Sequence, residues 1–186
     1  MLATKPRTFT ADEFLAEFEG VPGRWELVGG QPRLMSGRSV AHANVAGNVY
    51  SALRRQLRGT GCRPFNSDMG FQINDGEVLY PDLAIYCSPR DRNRDPLKTK
   101  SFFHPSTVFE VLSPSTARYD REQKVASYQN ILSVRLIVLI DPERSTFETY
   151  ERADEGWTVG IHPQGTTLAV TDPAFQITAD EMFADD

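Results

Sequence analysis

The chain has 186 residues, 40% hydrophobic and 24% charged, which suits one water-soluble globular domain and is short for two. No apolar run approaches the roughly 18 residues that span a bilayer, and the opening stretch MLATKPRTFTADEF has no apolar segment of the kind a secretory leader needs. The net charge of −5 is concentrated at the end: residues 141–186 hold eleven Asp and Glu against Arg144 and Arg152, so residues 1–140 are net basic and overall acidity does not exclude a nucleic-acid partner.

In chain order, Thr10 and Glu13 form a capping box, and Phe14, Leu15 and Phe18 follow at helical spacing. A helix from Ala11 to about Glu19 is expected, closed by Gly20 and Pro22. Trp25 to Val28 and Gln31 to Met35 read as strands of a hairpin turned at Gly29 and Gly30. Val45, Val49, Leu53 and Leu57 recur every fourth residue, which predicts an amphipathic helix from His42 to about Arg58. Short strands are predicted at Cys62–Phe65, Met69–Ile73 and Leu83–Cys87, with Pro81 able only to open the last of them.

Ser88 to Lys100 reads as a basic, proline-bounded loop, and solvation is its simplest role. Val108 to Leu112 is an apolar strand, broken by the segment Ser113 to Thr116. A helix from Arg118 to about Ile131 and a buried strand from Val134 to Ile140 follow. This strand–helix–strand unit predicts a crossover between parallel strands. The remainder reads as short antiparallel strands. The expected class is α/β, a mixed β-sheet flanked by helices. It forms one domain over residues 1–186, with a core at about 8–145 and a β-rich C-terminal part at about 146–186. Cys62 and Cys87 lack both metal-ligand spacing and the density of a secreted disulfide scaffold, and a reducing cytoplasm is the simplest compartment.

Two acids break the hydrophobic logic of their strands. Asp82 opens the apolar run from Leu83 to Tyr86, and Glu110 sits between Phe109 and Val111. A carboxylate there is costly to bury unless it is paired, hydrogen-bonded or bound to a cation. Two such acids on neighbouring strands suit a hard divalent ion, typically Mg²⁺, whose retained waters can supply a nucleophile. The plainer alternatives are a turn cap at Asp82 and an arginine partner for Glu110. Lys124 borders the apolar face of the following helix and could reach toward the acids, or simply pair with Asp120 one turn back. Glu26, between Trp25 and Leu27, reads alone as the solvent side of a strand. Arg54, Arg55 and Arg58 suit the C-terminal dipole of their helix without any ligand. His42, His104 and His162 have no zinc spacing, and neither a nucleophile elbow nor a phosphate-cradling glycine loop is present.

Taken in order, the run Trp25 to Gly30, the run Tyr80 to Tyr86, the segment Phe109-Glu-Val-Leu-Ser-Pro-Ser-Thr116, the pair Tyr119 and Asp120, and the run Lys124 to Tyr128 resemble the Uma-type family of restriction endonucleases in the PD-(D/E)XK superfamily. The resemblance covers roughly residues 8–145, and the segment after Phe109 is its most specific part. It implies a restriction-endonuclease-like core. It implies Asp82 and Glu110 as metal ligands helped by the Val111 carbonyl, with Glu26 as a further site acid. The superfamily's lysine two residues after the glutamate is absent, since Leu112 stands there; the family pattern places a lysine on the next helix, at Lys124. The implied activity is Mg²⁺-dependent hydrolysis of DNA phosphodiester bonds, with Mn²⁺ as a substitute. No membrane partner is expected, and a homodimer is one assembly open to it, since double-strand cleavage often uses two-fold symmetry. A nuclease-fold protein that binds nucleic acid or a protein partner without cutting stays open as an alternative. So does a two-carboxylate glycosidase, which needs a roomy cleft with aromatic platforms.

Overall fold

The computed structural model describes residues 6–35 and 37–185. Thr10 caps helix α1 (Ala11–Glu17) in the reciprocal arrangement that its spacing to Glu13 predicts. Strands β1 (Trp25–Val28) and β2 (Gln31–Leu34) pair through Gly29 and Gly30, whose φ angles of 56° and 76° are what a two-residue turn of this hand demands. Helix α2 (Val40–Gln56) starts at Ser39, whose hydroxyl accepts from the His42 N–H. Then come β3 (Arg63–Asn66), β4 (Gly70–Asn74), β5 (Glu77–Leu79) and β6 (Leu83–Tyr86). The expected basic loop contains a single turn, α3 (Pro89–Arg92), capped by Ser88 with proline in the first helical position, and ends in the short strand β7 (Ser101–Phe102).

Strand β8 (Pro105–Val111) leads into a helix of three consecutive pieces: α4 (Ala117–Tyr119), a π-helical turn (Asp120–Lys124) and α5 (Val125–Gln129). Strand β9 (Leu136–Asp141) returns parallel to β8, as the strand–helix–strand pattern predicts. The tail supplies β10 (Thr146–Arg152), β11 (Trp157–His162), the hairpin β12 (Leu168–Thr171) and β13 (Ala174–Ile177), and helix α6 (Ala179–Phe183). One mixed sheet has the order β11-β10-β9-β8-β6-β3, and a second has the order β2-β1-β5-β4-β7.

The six-stranded sheet is covered on both faces, which explains the unbroken apolar runs of β6 and β9. One face presents Leu83, Ile85, Phe109, Val111 and Val138 to Val45, Val49 and Leu53 of α2. The other presents Val108, Leu112, Ile137 and Leu139 to Phe71 and Leu79 of the second sheet and to Val125 and Tyr128 of α5. By strand alternation Glu110 shares this second face with Val108 and Leu112.

The tail does more than extend the sheet. Phe147, Leu168, Phe175, Ile177 and Met182 join the same apolar cluster as α2. Asn48 of α2 donates to the Ala184 carbonyl at 2.9 Å, and Gln56 exchanges two hydrogen bonds with the Gln176 backbone. Helix α6 has its own capping box at Thr178 and Glu181, a signal present in the sequence but attached to barely one turn. The two cysteines, given no partner from spacing alone, form a disulfide. The reason is register: Arg63 faces Tyr86 across β3 and β6, so Cys62 and Cys87 stand opposite one another one step further out. Among the described residues no helix is long and apolar enough to cross a membrane.

Candidate active site

The site lies where β8 ends beside the start of β6. Leu83 faces Phe109 in this antiparallel pair, so Asp82 falls one step beyond, level with Glu110. The Leu112 N–H donates to the Ile140 carbonyl on β9. Alternation therefore turns the N–H and carbonyl of Val111 the other way, toward Asp82. The Val111 N–H accordingly donates to Asp82 Oδ2 at 2.8 Å.

Asp82 is buried and held from three sides. His42 Nε2 lies 3.0 Å from Oδ2, and the Arg38 guanidinium pairs with Oδ1. Oδ1 receives no well-aligned hydrogen bond, and His42 Nδ1 has no partner among the described residues. Burial alone would push this carboxyl up. His42, Arg38 and the Val111 N–H outweigh that and hold it below the usual carboxylate range.

Glu110 meets a different set. Lys124 Nζ lies 3.0 Å from Glu110 Oε1 and 3.0 Å from Glu26 Oε1, and the Tyr128 hydroxyl donates to Glu110 Oε1 at 2.6 Å. The Tyr80 N–H donates to Glu26 Oε1 at 3.1 Å. Glu26, Glu110 and Lys124 are only 2%, 3% and 4% exposed. Burial drives the Glu110 carboxyl up to about 8, against the pull of Lys124 and with a push from Asp82, Asp120 and Glu26. For Lys124 burial acts downward, but Glu110, Glu26 and Asp120 hold the ammonium well above its ordinary range. The Lys124 ammonium sits between Glu26 and Glu110 while burial raises the Glu110 carboxyl, so the crowded acids resist ionising together.

The π-helical turn shapes this arrangement. Its closing bond runs from the Val125 N–H to the Asp120 carbonyl five residues back. Asp120 and Lys124 are both buried on the inner side of the turn. Burial raises the Asp120 carboxyl, with Lys124 and the Thr116 hydroxyl pulling the other way.

Glu26, Asp82, Glu110, Val111 and Lys124 thus line one cleft of about 140 Å³. Glu26 does not face solvent, because β1 belongs to the second sheet and its side chain points back at Lys124. The partner of Glu110 is a lysine, and among the described residues Lys124 forms no ion pair with Asp120. No residue of the 88–100 loop lines the cleft; its Asp91 accepts from the Phe103 and His104 N–H groups instead.

Arg38, His42 and Tyr128 belong to the site without having been singled out. Tyr128 alone had a usable signal, standing four residues after Lys124 on the same helical face. The Asp82 and Glu110 carboxylates and the Val111 carbonyl are oxygen donors of the kind a hard divalent ion takes. The buried Asp82 oxygen without an aligned hydrogen bond fits a cation that would complete the site. Among the described residues no three His, Cys, Asp or Glu side chains stand together as a ready-made metal site.

Known proteins share the family and the fold. The model of the Uma2 family, described as "Putative restriction endonuclease", matches residues 11–180. The chain is 31% identical to "Uncharacterized protein slr1290" of Synechocystis sp. over 150 residues, which cover 80% of this chain and 77% of that protein. It is 27% identical over 160 residues to "Uncharacterized protein sll1609" of the same organism, covering 84% and 89%. Among solved structures it resembles "a putative nuclease belonging to DUF820 from Anabaena variabilis", with a TM-score of 0.73 at 17% identity, covering 95% of this chain and 98% of that one. That likeness shows the fold.

Proposed function

The chain belongs to the Uma2 family described as "Putative restriction endonuclease", and from that premise we propose that it is a divalent-metal-dependent endonuclease that hydrolyses DNA phosphodiester bonds at the Asp82–Glu110 cleft. The observation that carries this reading is the placement of Lys124. Its ammonium reaches Glu110 from a neighbouring helix and restores the cation that the strand position Leu112 cannot offer.

Asp82, Glu110 and the Val111 carbonyl would hold Mg²⁺ or Mn²⁺, which when bound supplies a Lewis acid for a phosphate oxygen and a water of lowered pKa. Lys124 stays protonated and is therefore no general base; it offers a fixed positive charge where charge builds on the phosphate. Glu26 holds the ammonium from its far side, and Tyr128 fixes the Glu110 side chain through its hydroxyl. Arg33, whose guanidinium lies 3.4 Å over the Tyr119 ring, lines the same cleft and offers a phosphate contact.

Supercoiled plasmid incubated with the purified protein tests this reading. Nicking or cutting is expected with Mg²⁺ or Mn²⁺, none with EDTA, and none for Asp82→Asn or Glu110→Gln. A protein that binds no divalent ion would sink it. A second reading, nucleic-acid binding without cutting, gains from the fact that Lys124 and Arg38 already neutralise these carboxylates. Metal binding without cleavage of any nucleic acid would favour that second reading. The cleft offers little to a glycosidase: it is small, and Tyr119 is its one aromatic residue among the described residues.

A further inference from the structure

Asp82 divides its two oxygens between unlike partners. Oδ2 is held by the Val111 N–H at 2.8 Å and lies 3.0 Å from His42 Nε2, groups fixed on β8 and on the first turn of α2. Among the described residues Oδ1 meets only the Arg38 guanidinium, in an ion pair without an aligned hydrogen bond. Arg38 comes from the segment before Ser39, the cap of α2, and so from outside any regular element. Among the described residues its other anchor is one hydrogen bond, from Nη1 to Ser67 Oγ at 2.9 Å. Its side chain is 24% exposed where that of Asp82 is 3% exposed. Lys124 is the opposite case, enclosed at 4% exposure between two carboxylates.

We propose that Arg38 is the resident counter-cation of Asp82 in the metal-free protein, and that a divalent ion gains Asp82 Oδ1 only by displacing it. This rests on the metal-site reading given above. The guanidinium seated on Oδ1 screens that oxygen and sets a like charge beside any incoming ion, so the two compete. Apparent metal affinity is then reduced by the fraction of molecules in which Asp82 is free of Arg38. The fixed donors on Oδ2 keep the carboxylate oriented while Oδ1 changes partner. The released guanidinium sits at the mouth of the cleft, which Arg38 and Arg33 both line. Metal loading therefore turns Arg38 from a partner of Asp82 into a free cation facing the side from which a phosphate would approach.

Mn²⁺ binding to the full-length protein without nucleic acid, followed by the electron paramagnetic resonance of the free ion, tests the competition. Arg38→Met is expected to tighten Mn²⁺ binding about fivefold or more, a coupling of ordinary size, and Arg38→Lys to stay near the parent. Ser67→Ala loosens the arginine without changing the charge. It should tighten binding by a smaller factor, which separates displacement from a general charge effect and keeps a readout if Arg38→Met does not fold. In EDTA Arg38→Met should melt below the parent, and saturating Mn²⁺ should narrow that gap. Unchanged or weaker binding in folded Arg38→Met and Ser67→Ala, with a parent that binds through Asp82, overturns the proposal and leaves the metal site standing. An Asp82→Asn variant that binds as well as the parent, or no binding by any variant, removes the metal-site reading and this inference with it.

Discussion

Lys124 Nζ stands 3.0 Å from Glu110 Oε1, although the two residues come from different elements and no lysine follows Glu110 on its own strand. The strand position two residues on is Leu112, packed into the apolar cluster between the sheets. The π-helical turn delivers the charge instead.

Lys124→Met should lower single-turnover cleavage by about 10²–10³-fold, the usual cost of removing one preorganised charge at a transition state. Mn²⁺ binding should persist, because the oxygen donors remain. Loss of Mn²⁺ binding together with cleavage would mean that Lys124 builds the site rather than serving the chemistry.

Stability of the metal-free protein should fall as pH rises across neutrality. Glu110 holds its proton more tightly in the folded state, at about 8, than at its ordinary value of 4.5. The stability from that proton is complete below the ordinary value and is lost as pH rises through the folded one. Asp120, also raised by burial, acts in the same direction. The urea midpoint in EDTA should therefore decline between about pH 5 and 9, and Glu110→Gln should flatten the curve. A midpoint that rises over this window would contradict the assignment.

Tyr128→Phe deletes the 2.6 Å bond to Glu110 and leaves a buried carboxyl oxygen with one partner fewer. The expected loss is about 1–3 kcal/mol of unfolding free energy, with Mn²⁺ binding weakened because the Glu110 side chain is less well held. Chemical denaturation and Mn²⁺ titration of the same preparation check both parts.

Met182→Ala measures how far the tail belongs to the core. Met182 is fully buried against the α2 cluster, so the loss should be about 2–5 kcal/mol. A loss within the few tenths expected of a surface change would show that the C-terminal segment is merely appended.

Asp82 and Glu110 were legible because each interrupts an apolar run, and a buried charge needs a local reason. Glu26 was legible only through family resemblance: its flanking residues look like one half of an amphipathic strand, and nothing local shows that its side chain meets Lys124. Arg38 and His42 carried no signal at all. An arginine in a loop and a histidine at a helix start have plain solvent-facing explanations, and only the placement of α2 across the end of β6 gives them Asp82 as a partner. The disulfide was hidden for a similar reason, since it depends on the register of β3 against β6.

The sequence by itself determined the periodic elements, the turn at Gly29 and Gly30, the crossover from β8 to β9 and the two acids, Asp82 just before β6 and Glu110 on β8. Periodicity and turn chemistry are local properties, readable along the chain. Tertiary structure alone decided that Lys124 lies between Glu26 and Glu110, that Arg38 guards one oxygen of Asp82 and that the tail closes the core over α2. Those facts are distances between segments far apart in the chain, and the packing of α2 and of the helix after β8 against the sheets fixes them.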